Sequence, residues 1–296
     1  MKNEKISSNE KHSIYYNDIA QEVIKKFIKK RKRVRNILLF IMAVNILIYL
    51  FCTGKNVILF LVVCFFIVLI SKISRFASTN SLTDILMVDC DPVKMYEVAN
   101  YLETIQKKES GRNLIYLVKA QSCRYIKGKL DEGFECLKRV NYKKKKISRE
   151  ANILNEFLNY AYEKKDRELF YIMADNLKRL PSLFPKCNNF EKDFYDKIML
   201  YLRWKEVLWD GTNEEIRRLA NEMSTIKNDM LNQIMLHMHL AEIDIKESEY
   251  KNACMHLEYV IAHGNTMSVV DKAKEMMMAM QISDRHEDSE GQLEEK

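Results

Sequence analysis

Glycine and proline are scarce in this chain, whose 296 residues contain only seven glycines and three prolines. Both residues interrupt regular structure, so their scarcity argues against a fold with many tight turns. Lysine, glutamate, leucine, isoleucine and methionine dominate instead, and most of these favour helix. The composition therefore predicts an all-α protein with no strands.

The chain also lacks the short motifs that mark common catalytic sites. It contains no glycine-rich phosphate loop, no G-x-S-x-G and no H-E-x-x-H. Its carboxylates are spread along helix faces beside lysine and arginine, as is expected when 30% of residues are charged. We therefore expect neither an enzyme nor a bound cofactor.

Recognisable metal-ligand spacing is missing as well. The seven cysteines include no C-x-x-C pair and are odd in number, so neither a disulfide framework nor a zinc site is expected. Free thiols in a reducing cytoplasm explain them more simply. His237 and His239 are two residues apart and point in different directions on a helix, whereas a metal-binding pair prefers a spacing of three or four.

Two apolar runs near the N-terminus predict a transmembrane hairpin over residues 36–76. The first, Asn36–Cys52, has 17 residues and reaches about 25 Å as a helix, slightly less than the ~30 Å hydrocarbon layer. The second, Val57–Ile70, is shorter, so a re-entrant segment remains an alternative to a second span. We place the spans at about 36–53 and 56–73, and expect Asn45 to contact the other helix in mid-span.

The positive charge of the chain is concentrated before this hairpin. Residues 1–35 contain eleven lysines and arginines against four acidic residues, which accounts for the whole net charge of +7. A nucleic-acid partner is therefore not expected, whereas anionic lipid headgroups are. The expected headgroup contacts are Lys25, Lys26, Lys29, Lys30, Arg31, Lys32, Arg33 and Arg35 before the first span, and Lys72 and Arg75 after the second. The positive-inside rule places both termini and the following domain in the cytoplasm of a two-span cell-membrane protein.

The segment that carries this charge is itself amphipathic. Apolar residues recur at helical spacing over residues 14–35, which predicts a basic juxtamembrane helix. It lies on the membrane surface or extends the first span into the cytoplasm, and the pattern does not distinguish these. Residues 1–13 and the acidic residues 284–296 are polar without an apolar period, and we expect both to be disordered.

Residues 77–283 predict about ten helices in a recurring arrangement. Short helices are expected to begin near residues 130, 166, 212 and 249, each after a helix of roughly 15 to 20 residues. A helix pair recurring at intervals of about 36 to 46 residues is typical of an α-solenoid, in which neighbouring pairs bury one another's apolar faces.

Two segments of this region resemble tetratricopeptide repeats. The first carries Gly128, Leu130 and Leu137, and the second carries Leu240, Ala241, Tyr250, Ala253 and Leu257. Gly133 replaces the usual alanine, and Asp244 stands where the repeat usually has an aromatic residue. A membrane hairpin before a helical repeat domain is also similar to the layout of Gram-positive bacterial membrane proteins. The resemblance implies an interaction domain that binds a peptide or a partner protein in a concave groove.

Three hypotheses about function follow. The chain is a membrane-anchored scaffold that recruits a protein or peptide partner at the cytoplasmic face of the membrane. Alternatively, the repeat domain senses a peptide or another ligand and changes curvature on binding. In the third hypothesis the hairpins form a homo-oligomeric element that shapes or perforates the membrane.

Overall fold

The fold is entirely helical wherever the structure describes regular secondary structure, which confirms the all-α prediction. The structure is a computed structural model that describes residues 12–51, 57–142, 146–224 and 230–291, without the side chains of residues 51, 59, 72, 75–81 and 281–291. The predictions of disorder at residues 1–11 and 292–296 lie outside these ranges. The chain divides into two compact units, Met1–Ile85 and Leu86–Lys296.

The first unit consists of two long helices. Helix α1 runs without interruption over Ala20–Phe51, and α2 runs over Val57–Met87. Residues 14–17 form a turn, so the helix predicted over 14–35 begins only at Ala20 and continues directly into the first apolar run. By length and composition, α1 is the one helix among the described residues that is long and apolar enough to cross a membrane, and the apolar part of α2, Phe60–Ser71, is shorter.

Two predicted boundaries differ from the structure. Helix α2 continues past the predicted hairpin end at residue 76, since no glycine or proline interrupts the chain before Pro92. The boundary between the two units therefore falls after Ile85. Helix α12, Ser268–Gly291, passes the predicted domain end at residue 283, because glutamate favours helix and each added residue extends a helix already formed.

Asn45 makes a polar contact between α1 and α2. Its Nδ2 donates to the backbone oxygen of Phe60 at 3.3 Å and lies 3.7 Å from Sγ of Cys64. Only 7% of Asn45 is exposed, whereas the side chains on either side of it along α1 are exposed. The rings of Tyr49 and Phe60 also meet, with centroids 4.8 Å apart. Asn45 thus lies against α2, and its place in the middle of a membrane span stays a prediction.

Replacing Asn45 with leucine should weaken the contact between α1 and α2 by about 0.6 kcal/mol, the average for interhelical hydrogen bonds in membranes. Disulfide formation in membranes between Tyr49→Cys and Phe60→Cys, in a chain without its native cysteines, measures this contact. Asn36→Leu is the matched control, because Asn36 is exposed on the same helix. Equal crosslinking in the parent and both variants would contradict a role for Asn45.

The second unit contains ten described helices. They are α3 (Pro92–Ile105), α4 (Glu109–Cys123), α5 (Leu130–Lys138), α6 (Ile147–Glu163), α7 (Arg167–Leu183), α8 (Asn189–Asp210), α9 (Asn213–Ser224), α10 (Met230–Lys246), α11 (Tyr250–His263) and α12 (Ser268–Gly291). Helices α5, α7, α9 and α11 begin within one residue of the starts predicted for the short helices, but α7, with 17 residues, is as long as α6. Asp166 caps α7 by accepting from the Leu169 N–H at 3.0 Å. Thr212 and Glu215 form a reciprocal capping box at the start of α9, with distances of 2.9 and 3.2 Å.

The same burial pattern recurs in these four helices. Their fourth and eighth residues are all buried: Gly133, Phe170, Ile216 and Ala253, then Leu137, Ala174, Ala220 and Leu257. Each of the four helices therefore buries the same two positions, although the side chains there vary in size from glycine to phenylalanine.

The turns after α6 and α10 are also equivalent. In the first, the Asp166 N–H donates to the Ala161 oxygen at 2.9 Å; in the second, the Glu249 N–H donates to the Asp244 oxygen at 2.8 Å. Lys165 and Ser248 adopt positive φ angles of 57° and 61° just before these donors. This is the Schellman end of a helix, and it reverses the chain so that α7 packs on α6 and α11 on α10.

Helices also contact their second neighbours, and the two ends of the second unit meet. Contacts join α4 to α6, α6 to α8 and α10 to α12. The turn before α12 reaches the start of the unit, where Asn265 Nδ2 donates to the Asp89 oxygen at 2.9 Å and Thr266 Oγ1 to Asp91 Oδ1 at 2.7 Å. The Ser268 N–H donates to the Tyr125 oxygen at 2.8 Å. The two ends of the helix array are therefore in contact, and the array is closed on itself.

Candidate functional site

Closure of the array leaves a cavity in the second unit. It has a smaller compartment of about 190 Å³, between α4, α6, α8 and α10, and a larger one of about 710 Å³ that reaches α12. The compartments share wall residues on α4, α6 and α10, including Arg124 and His239. The larger volume falls in the range of roughly 300–1,000 Å³ that is typical of ligand sites.

Helix α6 gives the cavity a polar wall. One face of this helix buries Ile147, Ala151 and Leu158 in an apolar cluster with α7 and α8. Along the opposite face, polar side chains recur at helical spacing and line the smaller compartment: Asn152, Asn155, Glu156, Asn159 and Glu163. Within the described part of the chain, the amides of Asn152 and Asn155 have no hydrogen-bond partner. They are therefore free to bond a ligand.

An ion pair is buried where α4 ends beside α6. Arg124 Nη1 lies 3.3 Å from Glu156 Oε2, and Glu156 is only 4% exposed. Gln121 Nε2 donates to the other carboxylate oxygen at 3.0 Å, and the Arg124 guanidinium donates to the Tyr125 hydroxyl. Arg124 Nε is buried and has no hydrogen-bond partner among the described residues. The carboxylate of Glu156 is thus well bonded, whereas one donor of Arg124 has no partner there.

Lys205 of α8 lines the smaller compartment, and no carboxylate oxygen of the described residues lies within 4.0 Å of its Nζ. Its Nζ lies over the ring of Tyr162, 4.3 Å from the centroid. Burial lowers the pKa of Lys205 to about 8; Glu163 and Glu156 act in the opposite direction, and the charge of Arg124 lowers the pKa further. The ammonium is therefore less stable here than on a surface lysine.

A second polar group lines the larger compartment, where Glu242 of α10 faces α12. His239 Nδ1 lies 3.2 Å from Glu242 Oε2, and Lys272 Nζ donates to Oε1. Burial alone would raise the pKa of Glu242, but the bonds from His239 and Lys272 hold it at about 2. Glu242 therefore carries a negative charge at neutral pH. The ammonium of Lys272 already balances this charge.

Positive charge exceeds negative charge in the cavity wall. The cationic lining residues are Arg124, Lys165, Arg167, Lys197, Lys205 and Lys272, and the acidic ones are Glu156, Glu163 and Glu242. Aromatic side chains, including those of Tyr162, Trp204 and Trp209, complete the lining. A ligand with an anionic group and an apolar part matches this combination.

The predicted headgroup residues are all on the first unit. The eight basic residues from Lys25 to Arg35 are exposed on α1, and Lys26 Nζ pairs with Asp18 Oδ1 at 2.5 Å. They cover most of the circumference of the helix but leave one apolar face, which contains the buried Val23 and Phe27. The side chains of Lys72 and Arg75 lie outside the described residues.

The residues that resemble a tetratricopeptide repeat serve packing and turn geometry. Leu137, Ala241, Ala253 and Leu257 are buried, whereas Leu130 and Leu240 are partly buried against apolar clusters. Gly128 adopts a φ of 76° in the turn before α5, which favours glycine. Tyr250 is 41% exposed at the start of α11. None of these eight residues lines the described compartments.

Sequence reasoning missed the residues that line the cavity. The three asparagines of α6, at positions 152, 155 and 159, carried a detectable signal, since their spacing places them on one helix face. Arg124 and Lys205 carried none, because their proximity depends on how α4 and α8 pack against α6. Comparison of the chain with protein-family models, with curated proteins and with solved structures gives no match.

Proposed function

We propose that the protein is a membrane-anchored binding protein whose helical domain receives a peptide segment at the cytoplasmic face of the membrane. The observation that carries the proposal is the pair of unbonded amides, Asn152 and Asn155, in the wall of an internal cavity. A side-chain amide offers both a donor and an acceptor, which is what a peptide backbone requires at each residue. Two such amides one helical turn apart suit an extended segment.

The anchor is the first unit. The basic residues of α1 directly precede the apolar run that ends at Phe51, so they favour a cytoplasmic N-terminus and contact with anionic headgroups. With the apolar part of α2 as a second span, the chain returns to the same side. In this topology the helical domain and the C-terminus are cytoplasmic.

The recurrent burial in α5, α7, α9 and α11 supports an α-solenoid of helix pairs that is closed at its ends. Solenoids bind partners on extended concave surfaces. Here the first helices of the pairs, α4, α6, α8 and α10, all line the cavity.

The closed form of the array favours a sensor of a short peptide as the second candidate function. Tyr125 lines both compartments and also accepts the bond from the Ser268 N–H that joins the two ends. An occupant near Tyr125 therefore touches the contact that holds the array closed. A scaffold for a folded partner would instead require the array to open.

Peptide binding is tested with the full-length chain in nanodiscs, panned against a library of random short peptides. We expect enriched peptides to bind the Asn152→Leu, Asn155→Leu double variant about tenfold more weakly or worse, since each lost hydrogen bond costs about 1 kcal/mol. Asn252→Leu is the matched control, because Asn252 is exposed on α11 away from the cavity. Failure to enrich any peptide, or equal binding by the double variant, would overturn the proposal.

A further inference from the structure

The smaller compartment contains two cationic groups that the protein does not fully satisfy. Lys205 has no carboxylate oxygen within 4.0 Å among the described residues, and its Nζ lies over the ring of Tyr162. Arg124 lines the same compartment and is paired with Glu156 through Nη1; its Nε is buried and not open to the compartment. Holding the charge of Lys205 in a partly buried site without a carboxylate is unfavourable unless something else satisfies it.

Nearby carboxylates do not remove this excess. Glu156 already bonds Gln121 and Asn159 in addition to its pair with Arg124. Glu163 attracts Lys205 electrostatically but forms no ion pair with it within 4.0 Å. The two cations also repel each other, as the effect of Arg124 on Lys205 shows. An anion between them would replace this repulsion with two attractions.

We propose that Lys205 and Arg124 form an anion-binding subsite that receives one carboxylate or phosphate group of the ligand. Only the identity of the rest of the ligand rests on the proposed function. In that proposal Asn152 and Asn155, which line the same compartment, bond the backbone of a peptide ligand. The subsite itself is independent of the peptide and binds a small anion alone.

Binding at this subsite is linked to protonation of Lys205. With a pKa of about 8, this amine is partly neutral at pH 7.5, and a bound anion favours its charged form. The titratable groups that line the compartment with Lys205 come from every element packed around it: Arg124 and Tyr125 just after α4, Glu156 and Glu163 of α6, Lys197 and Tyr201 of α8 and His239 of α10, with the ring of Tyr162 against Nζ. Anion affinity therefore falls as the pH rises from 7 to 9 and Lys205 loses its proton.

The test measures the rate at which acetic anhydride labels Lys205 in the full-length protein in nanodiscs at pH 7.5, followed by mass spectrometry. Lys251, which is exposed on α11, is the internal reference. Without added anions, Lys205 should label on the order of tenfold faster than Lys251, since more of its amine is neutral. Inorganic phosphate or acetate, added at constant ionic strength with chloride, should slow labelling of Lys205 about tenfold and leave Lys251 unchanged. If phosphate protects Lys205 better than acetate, the anionic group of the ligand is a phosphate. If acetate protects it better, the group is a carboxylate.

Lys205→Met provides a second measurement that does not depend on labelling. Removing a partly buried charge that has no carboxylate partner among the described residues should not lower the thermal stability of the domain, but the variant should lose the stabilisation that the effective anion gives the parent. If neither anion slows labelling of Lys205 or stabilises the parent, the subsite does not exist. If no peptide is enriched but the anions still protect Lys205, only the proposed function is overturned. The failure of the peptide proposal can therefore be told apart from the failure of the anion subsite.

Discussion

Replacing Arg217 with methionine is expected to lower the free energy of unfolding of the helical domain by about 3 kcal/mol, because it leaves a buried charge without its cation. Asp244 is fully buried in α10, and its Oδ1 accepts from Arg217 Nη2 at 2.5 Å. Among the described residues its Oδ2 has no hydrogen-bond partner, and His256 Nε2 is 3.6 Å away. Methionine keeps most of the aliphatic packing of Arg217. The substitution also removes the pair between Arg217 and Glu247, but both of those side chains are more than a third exposed and the pair contributes about 1 kcal/mol or less, so most of the loss reports on Asp244.

The unfolding of this domain can be followed by intrinsic fluorescence of the full-length protein, because both tryptophans of the chain, Trp204 and Trp209, lie in α8. Arg203→Met is the matched control, since Arg203 and Glu222 form a 3.7 Å pair in which both side chains are 54% exposed. Such a surface pair contributes about 1 kcal/mol or less. Adding Asp244→Leu to Arg217→Met should recover much of the loss. Equal effects of Arg217→Met and Arg203→Met would contradict this account.

Asp244 also shows how local and long-range information differ in this chain. The position was recognisable from sequence as one where a tetratricopeptide repeat usually has an aromatic residue. Its partner Arg217 lies on α9, 27 residues earlier, and no spacing rule connects the two. The starts of α7 and α9 were predictable because Asp166 and Thr212 act within one turn of the chain. An ion pair between helices carries no such local signal.

The same distinction explains the cavity. Helix periodicity shows that Asn152, Asn155 and Asn159 share a face of α6, but not whether that face meets solvent, a partner or the interior. The answer depends on closure of the array by contacts between Asn265 and Asp89 and between Thr266 and Asp91, which are about 175 residues apart in the chain. A repeat resemblance predicts stacking of neighbouring pairs and is silent on whether the ends meet.

Replacing Gly133 with alanine, the residue that tetratricopeptide repeats usually have at this position, is expected to destabilise the domain by about 2 kcal/mol. A Cβ at Gly133 would lie 1.8 Å from Oη of Tyr160 and 2.6 Å from Cβ of Cys123. Tyr160 cannot move away easily, since it is fully buried and its hydroxyl donates to the Ala120 oxygen at 2.6 Å. The clash should outweigh the gain of about 1 kcal/mol in helix propensity from glycine to alanine.

Gly111→Ala separates these two effects. Its Cβ would meet only the side chain of Gln106, whose far end is flexible, so the substitution should be neutral or stabilise by up to about 1 kcal/mol. Tyr160→Phe should rescue Gly133→Ala only in part, because the ring carbon Cζ at 2.9 Å and the Cβ of Cys123 remain in the way. In the parent, Tyr160→Phe should cost about 1 kcal/mol for the lost hydrogen bond. Stabilisation of the domain by Gly133→Ala, as expected for Gly111→Ala, would contradict this account. It would mean that Tyr160 moves at little cost. The tight contact between α5 and α6 would then not explain why this position has glycine and not the usual alanine of the repeat.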